Sequence, residues 1–185
     1  MGKKSEDEKE AKDIARQKKR AKSDLCYVRD SGIHGSGVYA SRDLVKGERI
    51  IEYVGERIDK EESERRAWEQ WDRAEKHGEA AVYIFTISDK WDIDGNKPWN
   101  TARLLNHSCS PNCETWQEGK RLFIYAREDI KMDSELTFDY GFDIETWEDH
   151  PCRCGSDNCV GYIVSQEQWD ELREILESRE TVDAA

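Results

Sequence analysis

Cys152-Arg153-Cys154-Gly155-Ser156-Asp157-Asn158-Cys159 places three thiols within eight residues. So short a loop lets three sulfurs converge, and Gly155 permits the turn they need. Thiolates meeting in one tight loop are the usual donors of a tetrahedral zinc site, which takes a fourth ligand. That ligand has to come from elsewhere, and Cys109 and Cys113 are the candidates. Either would tie a distant loop to this one. The competing explanation is three buried or free thiols. Compartment favours the metal. The N-terminus M-G-K-K-S-E-D-E-K-E lacks the apolar stretch of a secretory signal, and no apolar run approaches the roughly 20 residues that span a bilayer. No membrane role is expected. A cytosolic or nuclear setting is, and there six cysteines point to metal before disulfides.

A length of 185 residues suits one domain with a real core. Charged residues make up 38% of the chain, and seven Trp and seven Tyr supply the bulky apolar surface. A modest core under a charged exterior follows. The net charge of −12 is uneven. Residues 1–22 carry nine Lys/Arg against five Asp/Glu, so the rest carries −16. An acidic body repels phosphates, so direct nucleic acid binding is not expected. It suits a basic partner such as a Lys/Arg-rich tail, although acidity also serves solubility alone.

Along the chain, residues 1–22 show no apolar periodicity and read as a charged flexible tail, with a nascent helix as the alternative. Tyr27-Val28 and Val38-Tyr39-Ala40 flank the turn-rich S-G-I-H-G-S-G. Glu48 to Val54 reads as a strand. Asp59 to about Lys76 reads as a helix, with Asp59 as cap, Glu62 in the capping-box position and an apolar stripe of Ala67, Trp68, Trp71 and Ala74. Val82 to Ile87 is a strand, and Trp91 to Gly95 ends in an Asp-Gly turn. A hairpin joins Glu114–Trp116 to Arg121–Ala126 around Glu118-Gly119, and Glu135–Phe138 is another short strand. Ser165 with Gln168 caps a last helix whose stripe is Trp169, Leu172 and Leu176. The fold class is mainly β with helical insertions.

Three further segments stand out. Arg103-Leu104-Leu105-Asn106-His107-Ser108-Cys109-Ser110-Pro111-Asn112-Cys113 has the composition of a closely folded loop. By itself its lone His is more often structural than functional. Glu135-Leu136-Thr137-Phe138-Asp139-Tyr140-Gly141-Phe142 sets two aromatics two apart, on one face if extended. Alone it would pass for an aromatic core strand. Ile33-His34-Gly35-Ser36-Gly37 is too short to be a dinucleotide fingerprint and could be only a hairpin turn.

Taken together and in order, these segments resemble the SET-domain family of protein-lysine methyltransferases, in its trithorax or mixed-lineage-leukaemia form with a post-SET zinc loop. The resemblance runs from about Tyr27 to Tyr162. It rests on I-H-G-S-G, E-Y-V-G (Glu52 to Gly55), Y-I-F (Tyr83 to Phe85), R-L-L-N-H-S-C-S-P-N-C, E-L-T-F-D-Y and C-R-C-G with Cys159. It implies small β-sheets around a threaded, pseudoknot-like core, in which the Asn-His segment passes near E-L-T-F-D-Y. The implied layout is a SET catalytic domain over 23–147, a post-SET zinc loop over 148–164 and a C-terminal helix and tail over 165–185. The helix after Asp59 would help shape the substrate groove.

The resemblance also assigns residues. S-adenosylmethionine would be held by His34, Gly35, Ser36, Gly37, Tyr83, Asn106, His107 and Arg153. Tyr140 would be the catalytic tyrosine, with Tyr83 and Phe138 walling a lysine channel. Cys109, with Cys152, Cys154 and Cys159, would hold zinc. Ser36 stands where that family often has a basic or aromatic residue, and Cys26 stands alone where some members carry a cysteine cluster. The implied partner is a basic, histone-like tail, in nuclear chromatin if the source is eukaryotic and in cytoplasm otherwise. Ala-Arg-Gln-Lys-Lys-Arg-Ala-Lys-Ser at 15–23 has a histone-like composition, so Lys18, Lys19 or Lys22 of the chain's own tail is a further candidate occupant of the groove; a solvated tail or an import patch is the plainer explanation. The competing functional reading is a SET-like peptide-binding module without turnover.

Overall fold

The computed structural model describes residues 2–77 and 83–183. In chain order its elements are α1 (Gly2–Arg20), β1 (Cys26–Asp30), β2 (Ser36–Ala40), β3 (Arg49–Tyr53), β4 (Glu56–Asp59), α2 (Lys60–His77), β5 (Ile84–Ser88), β6 (Trp91–Asp94), β7 (Asn106–His107), β8 (Cys113–Glu118), β9 (Arg121–Ala126), β10 (Glu135–Phe138) and α3 (Trp169–Asp183), with short 3-10 turns between some of them. The strands form three small sheets, ordered β1-β2-β10-β7, β3-β9-β8 and β4-β6-β5. Mainly β with helical insertions is therefore what the chain adopts. Among the described residues no helix is long and apolar enough to cross a membrane.

By its contacts the chain divides into two compact units. One is Met1–Cys26, Arg49–Leu104 and Thr115–Tyr125; the other is Tyr27–Glu48, Leu105–Glu114 and Ala126–Ala185. Each gathers three separated stretches, because its strands pair with partners far away in sequence.

In the first unit, residues 2–20 of the charged tail form α1, the nascent helix of the two readings. Lys, Glu, Arg and Ala are good helix formers, and Asp13 pairs with Arg16 at 2.5 Å and with Gln17 at 2.8 Å. Tertiary contacts hold its last turn. The Gln17 side chain accepts from Trp99 Nε1 at 3.3 Å, Lys18 Nζ lies 5.2 Å from the Trp99 ring centroid, and Ala21 is buried. Glu52, also buried, takes both Arg20 and Arg121, each with its Nε at 3.0 Å. Lys18 and Lys19 therefore sit in the last turn of a helix, and Lys22 lies just beyond it.

Burial pushes the Glu52 carboxyl up, but its bonds to Arg121 and Arg20 outweigh this and hold it below the ordinary range. A depressed carboxylate contributes stability above its unfolded pKa of about 4.3 and loses it as pH falls through the folded value. Arg20→Ala should therefore lower stability by about 2 kcal/mol at neutral pH. The difference from wild type should shrink in acid. Denaturant melts at both pH values check this, and a pH-independent difference would contradict the ion-pair explanation.

α2 begins as expected, with Asp59 Oδ1 accepting from the Glu62 amide at 2.9 Å. The Glu62 side chain pairs forward with Arg65 and Arg66, each at 2.7 Å. The apolar stripe is corrected: Trp68 is 67% exposed, whereas Ser63 and Gln70 are buried. The sheet beneath supplies an acid, Asp94, among its apolar groups. Asp94 takes Arg66 at 2.7 Å and Gln70 at 3.4 Å, and Gln70 Oε1 accepts the Tyr83 amide at 3.0 Å. The Ala74 side chain and Val82, the first residue of an expected strand, lie outside the described residues; that strand is β5. Tyr53, of E-Y-V-G, is buried and donates to the Tyr83 carbonyl at 2.9 Å. A Cβ on Gly95 would come 2.2 Å from the Tyr53 ring, so the Asp-Gly turn is required by packing as well as by chain reversal.

In the second unit, β10 runs antiparallel to β2 (Glu135↔Tyr39, Leu136↔Val38) and parallel to β7 (Thr137↔Asn106, Phe138↔His107). The parallel pairing brings Asn-His beside E-L-T-F. At the C-terminal end, Ile144, Trp147, Val164 and Leu172 form a small core, with Val160, Tyr162, Ile175 and Leu176 packed against it. Leu172 and Leu176 thus face inward as their spacing predicts. Ser165 does not cap α3 with its side chain; its carbonyl accepts from Gln168 in a 3-10 turn that precedes the helix.

Candidate active site and metal centre

Cys109, Cys152, Cys154 and Cys159 bring their sulfurs within 4.8 Å of one another. Cys109 Sγ is 3.8 Å from Cys152 Sγ and 3.8 Å from Cys159 Sγ. A tetrahedron with metal–sulfur bonds of about 2.3 Å has edges of about 3.8 Å, so donors and spacing both fit zinc. Cys113 is the sulfur left out: it starts β8, and its thiol meets Asn112 Oδ1 at 3.4 Å.

The charge balance agrees. Taken as free thiols, burial and the neighbouring sulfurs of Cys154 and Cys159 push Cys109 up to about 12, and burial likewise pushes Cys152 up. Burial also raises Cys154, but the Cys109 amide and Ser156 outweigh it and leave that thiol at about 6. Four thiolates this close need a cation among them. The loop is tied in place by Gln166 and Asn158, whose side-chain amides donate to the Cys109 carbonyl at 2.9 and 3.3 Å. Ser110 Oγ donates to Asn158 Oδ1 at 2.6 Å.

Beside this cluster lies the β7–β10 pair. The Tyr140 hydroxyl donates to the Leu105 carbonyl at 3.0 Å, and its ring lies 5.0 Å from Phe138 and 5.4 Å from His107. His107 is buried, and its Nδ1 accepts the Tyr140 amide at 3.3 Å. Burial holds this imidazole at about 4, against the opposing pull of Asp139, so it is neutral at ordinary pH.

Asn106 organises the I-H-G-S-G loop. Its Nδ2 lies 3.2 Å from the His34 carbonyl, 3.3 Å from that of Ser36, 3.0 Å from Ser31 Oγ and 2.8 Å from Glu135 Oε1. Glu135 also accepts from Ser31 Oγ at 2.7 Å and from the Tyr39 hydroxyl at 2.8 Å. Gly37 passes against that carboxylate, where a Cβ would lie 2.4 Å from Oε1. His34, Gly35 and Ser36 are exposed, as is Arg153.

The second unit thus gathers Tyr140, Phe138, Asn106, His107, the 34–37 loop and the four thiols. Tyr83 belongs to the first unit, where its backbone is held by Gln70, Tyr53 and Gly95. Sequence reasoning passed over Glu135 as a working residue. The available signal was a carboxylate opening a strand two residues ahead of a Thr-Phe pair, which has no apolar role to play.

A family profile described as "SET domain" matches residues 35–141, more than half of the chain. The "Histone-lysine N-methyltransferase, H3 lysine-4 specific" of Emericella nidulans is 39% identical over 153 residues, covering 80% of this chain and 12% of that protein. The protein of that description from Candida albicans is 42% identical over 139 residues, covering 72% and 13%. The one from Saccharomyces cerevisiae is 38% identical over 153 residues, covering 80% and 14%. The chain spans about an eighth of the length of the curated relatives it matches. On the profile match, the chain belongs to the SET domain family.

Proposed function

We propose that this chain transfers methyl groups from S-adenosylmethionine to a lysine of a basic protein tail, a histone H3 tail in nuclear chromatin, and that zinc on the four cysteines is structural. The observation that carries the reading is the Tyr140 hydroxyl, anchored on the Leu105 carbonyl beside the β7–β10 junction. By donating its proton there, the oxygen is fixed as an acceptor toward an approaching amine.

The bound cofactor would supply an electrophilic methyl on a sulfonium. Asn106 and Glu135 hold the loop of His34, Gly35, Ser36 and Gly37 that would carry its methionine end, and Arg153 would cover the adenine side. Phe138 and Tyr140 would wall the channel. A lysine has a pKa near 10.4 in water, and a dry aromatic channel disfavours its ammonium form. Positioning and exclusion of water then supply most of the rate. The proton would leave to water before transfer.

Glu135→Gln should raise the dissociation constant for S-adenosylmethionine about tenfold, because a charged acceptor of several hydrogen bonds becomes a neutral one. Its kcat should change little. Calorimetry reads the affinity, and unchanged binding would remove Glu135 from this role.

Phe138 is buried against Tyr140. With no hydroxyl to hold a water, the wild type should add two or three methyl groups. Phe138→Tyr should shift product toward the monomethyl form. Mass spectrometry showing only monomethyl product from wild type would contradict this.

The function is tested with labelled S-adenosylmethionine on an array of basic peptides. Label should appear on lysine peptides and vanish when the target lysine is Arg. Cofactor binding without label on any peptide would favour a non-catalytic binding module.

A further inference from the structure

We propose that His107 is a positioning residue that couples the thiolate centre to Tyr140, its Nε2–H donating to the Cys109 sulfur while its Nδ1 accepts the Tyr140 amide. The geometry is direct. Nε2 lies 3.6 Å from Cys109 Sγ, and Nδ1 lies 3.3 Å from the Tyr140 nitrogen. An imidazole nitrogen that accepts an amide N–H carries no hydrogen, so the hydrogen of the neutral ring is on the other nitrogen, facing sulfur. The nearby Asp139 carboxylate, 3.7 Å from Nδ1, is occupied elsewhere: Oδ1 accepts the Gly141 amide at 3.0 Å and Oδ2 the Gln166 amide at 3.2 Å.

Sulfur needs such a donor. Zinc on four thiolates carries excess negative charge, and hydrogen bonds to sulfur spread it. The Cys109 amide serves Cys154 at 3.5 Å, and the Gly161 amide serves Cys159 at 3.4 Å. Cys109 has the Val160 amide, and His107 adds a side-chain donor that is also what the Tyr140 backbone hangs on. The register makes this possible. β7 and β10 pair in parallel with His107 opposite Phe138, two residues before Tyr140, while Cys109 follows His107 by two. Metal occupancy and the position of Tyr140 are thereby linked within one unit. Asn106 is its counterpart on the cofactor side, so the Asn-His pair would serve the two sites with two adjacent side chains.

The proposal rests on the reading of Tyr140 as the transfer-site tyrosine, and its test separates the two. The protein is loaded with cobalt, whose thiolate charge-transfer band reports hydrogen bonding to sulfur. His107→Phe keeps a ring and removes both bonds; His107→Gln returns a side-chain N–H toward sulfur. The Phe variant should shift the band to longer wavelength and lose metal to a chelator about fivefold faster, the equivalent of one hydrogen bond. The Gln variant should restore the band. In the wild type, stripping the metal should move the Tyr140 amide resonance, a readout that needs no turnover and no variant. An unchanged band in both variants, or a Tyr140 amide indifferent to metal, overturns the coupling. A wild type that passes both tests and methylates nothing overturns the function instead, with the coupling intact.

Discussion

Cys154→Ser should strip this protein of its zinc and loosen everything from His150 to α3. A thiolate-bound structural zinc contributes on the order of 10 kcal/mol of apparent binding energy, comparable to the total stability of a domain. The effect should not stay local. The Cys109 carbonyl holds Gln166 and Asn158, and Cys154 Sγ accepts the Cys109 amide. The small core of Ile144, Trp147, Val164 and Leu172 lies on either side of the thiol loop in sequence. Elemental analysis should show about one zinc per wild-type chain and none in the variant. Hydrogen exchange should show lost protection across the C-terminal segment, and a chelator should reproduce both effects in wild type. Cys113→Ser is the control: buried but outside the cluster, it should keep its metal. Protection unchanged in a zinc-free Cys154→Ser protein would show that the metal holds nothing together.

Tyr140→Phe should leave the fold standing and lower kcat by about a hundredfold or more, the scale of removing one oriented group at a reacting centre. Its folding cost is the bond to the Leu105 carbonyl, about 1 kcal/mol, because the ring contacts with Phe138 and His107 remain. The Michaelis constant for the cofactor should move little, since the lost interaction belongs to the transition state. Steady-state kinetics beside a melting curve separate the two effects. Turnover equal to wild type at equal melting temperature would remove Tyr140 from the reacting centre.

Much of this was legible in local patterns. E-L-T-F appears as a strand because Thr and Phe are β-formers in a short run that is buried on both faces, and Glu118-Gly119 turns a hairpin because Gly119 has φ +63. The metal centre was half legible. Spacing identified three sulfurs and left Cys109 and Cys113 as equals; only the resemblance chose between them, and the 3.8 Å contacts of Cys109 agree with that choice. Helix α1 was half legible: its residues are good helix formers, but what holds its last turn, Glu52 and Trp99, is remote in sequence. Trp68 was misplaced for a related reason. Apolar periodicity assumes an apolar surface beneath a helix, and here Asp94 lies there, satisfied by Arg66 and Gln70. The direction of the His107 ring depends on the β7–β10 register, which no local pattern encodes.

The most direct test of methyl transfer is an intact-mass time course on histone H3 with S-adenosylmethionine, wild type beside Tyr140→Phe. The expected result is a stepwise gain of methyl masses at one lysine with wild type and almost none with the variant. No mass gain with zinc-loaded, cofactor-binding wild-type protein would contradict the assignment of this chain as a lysine methyltransferase.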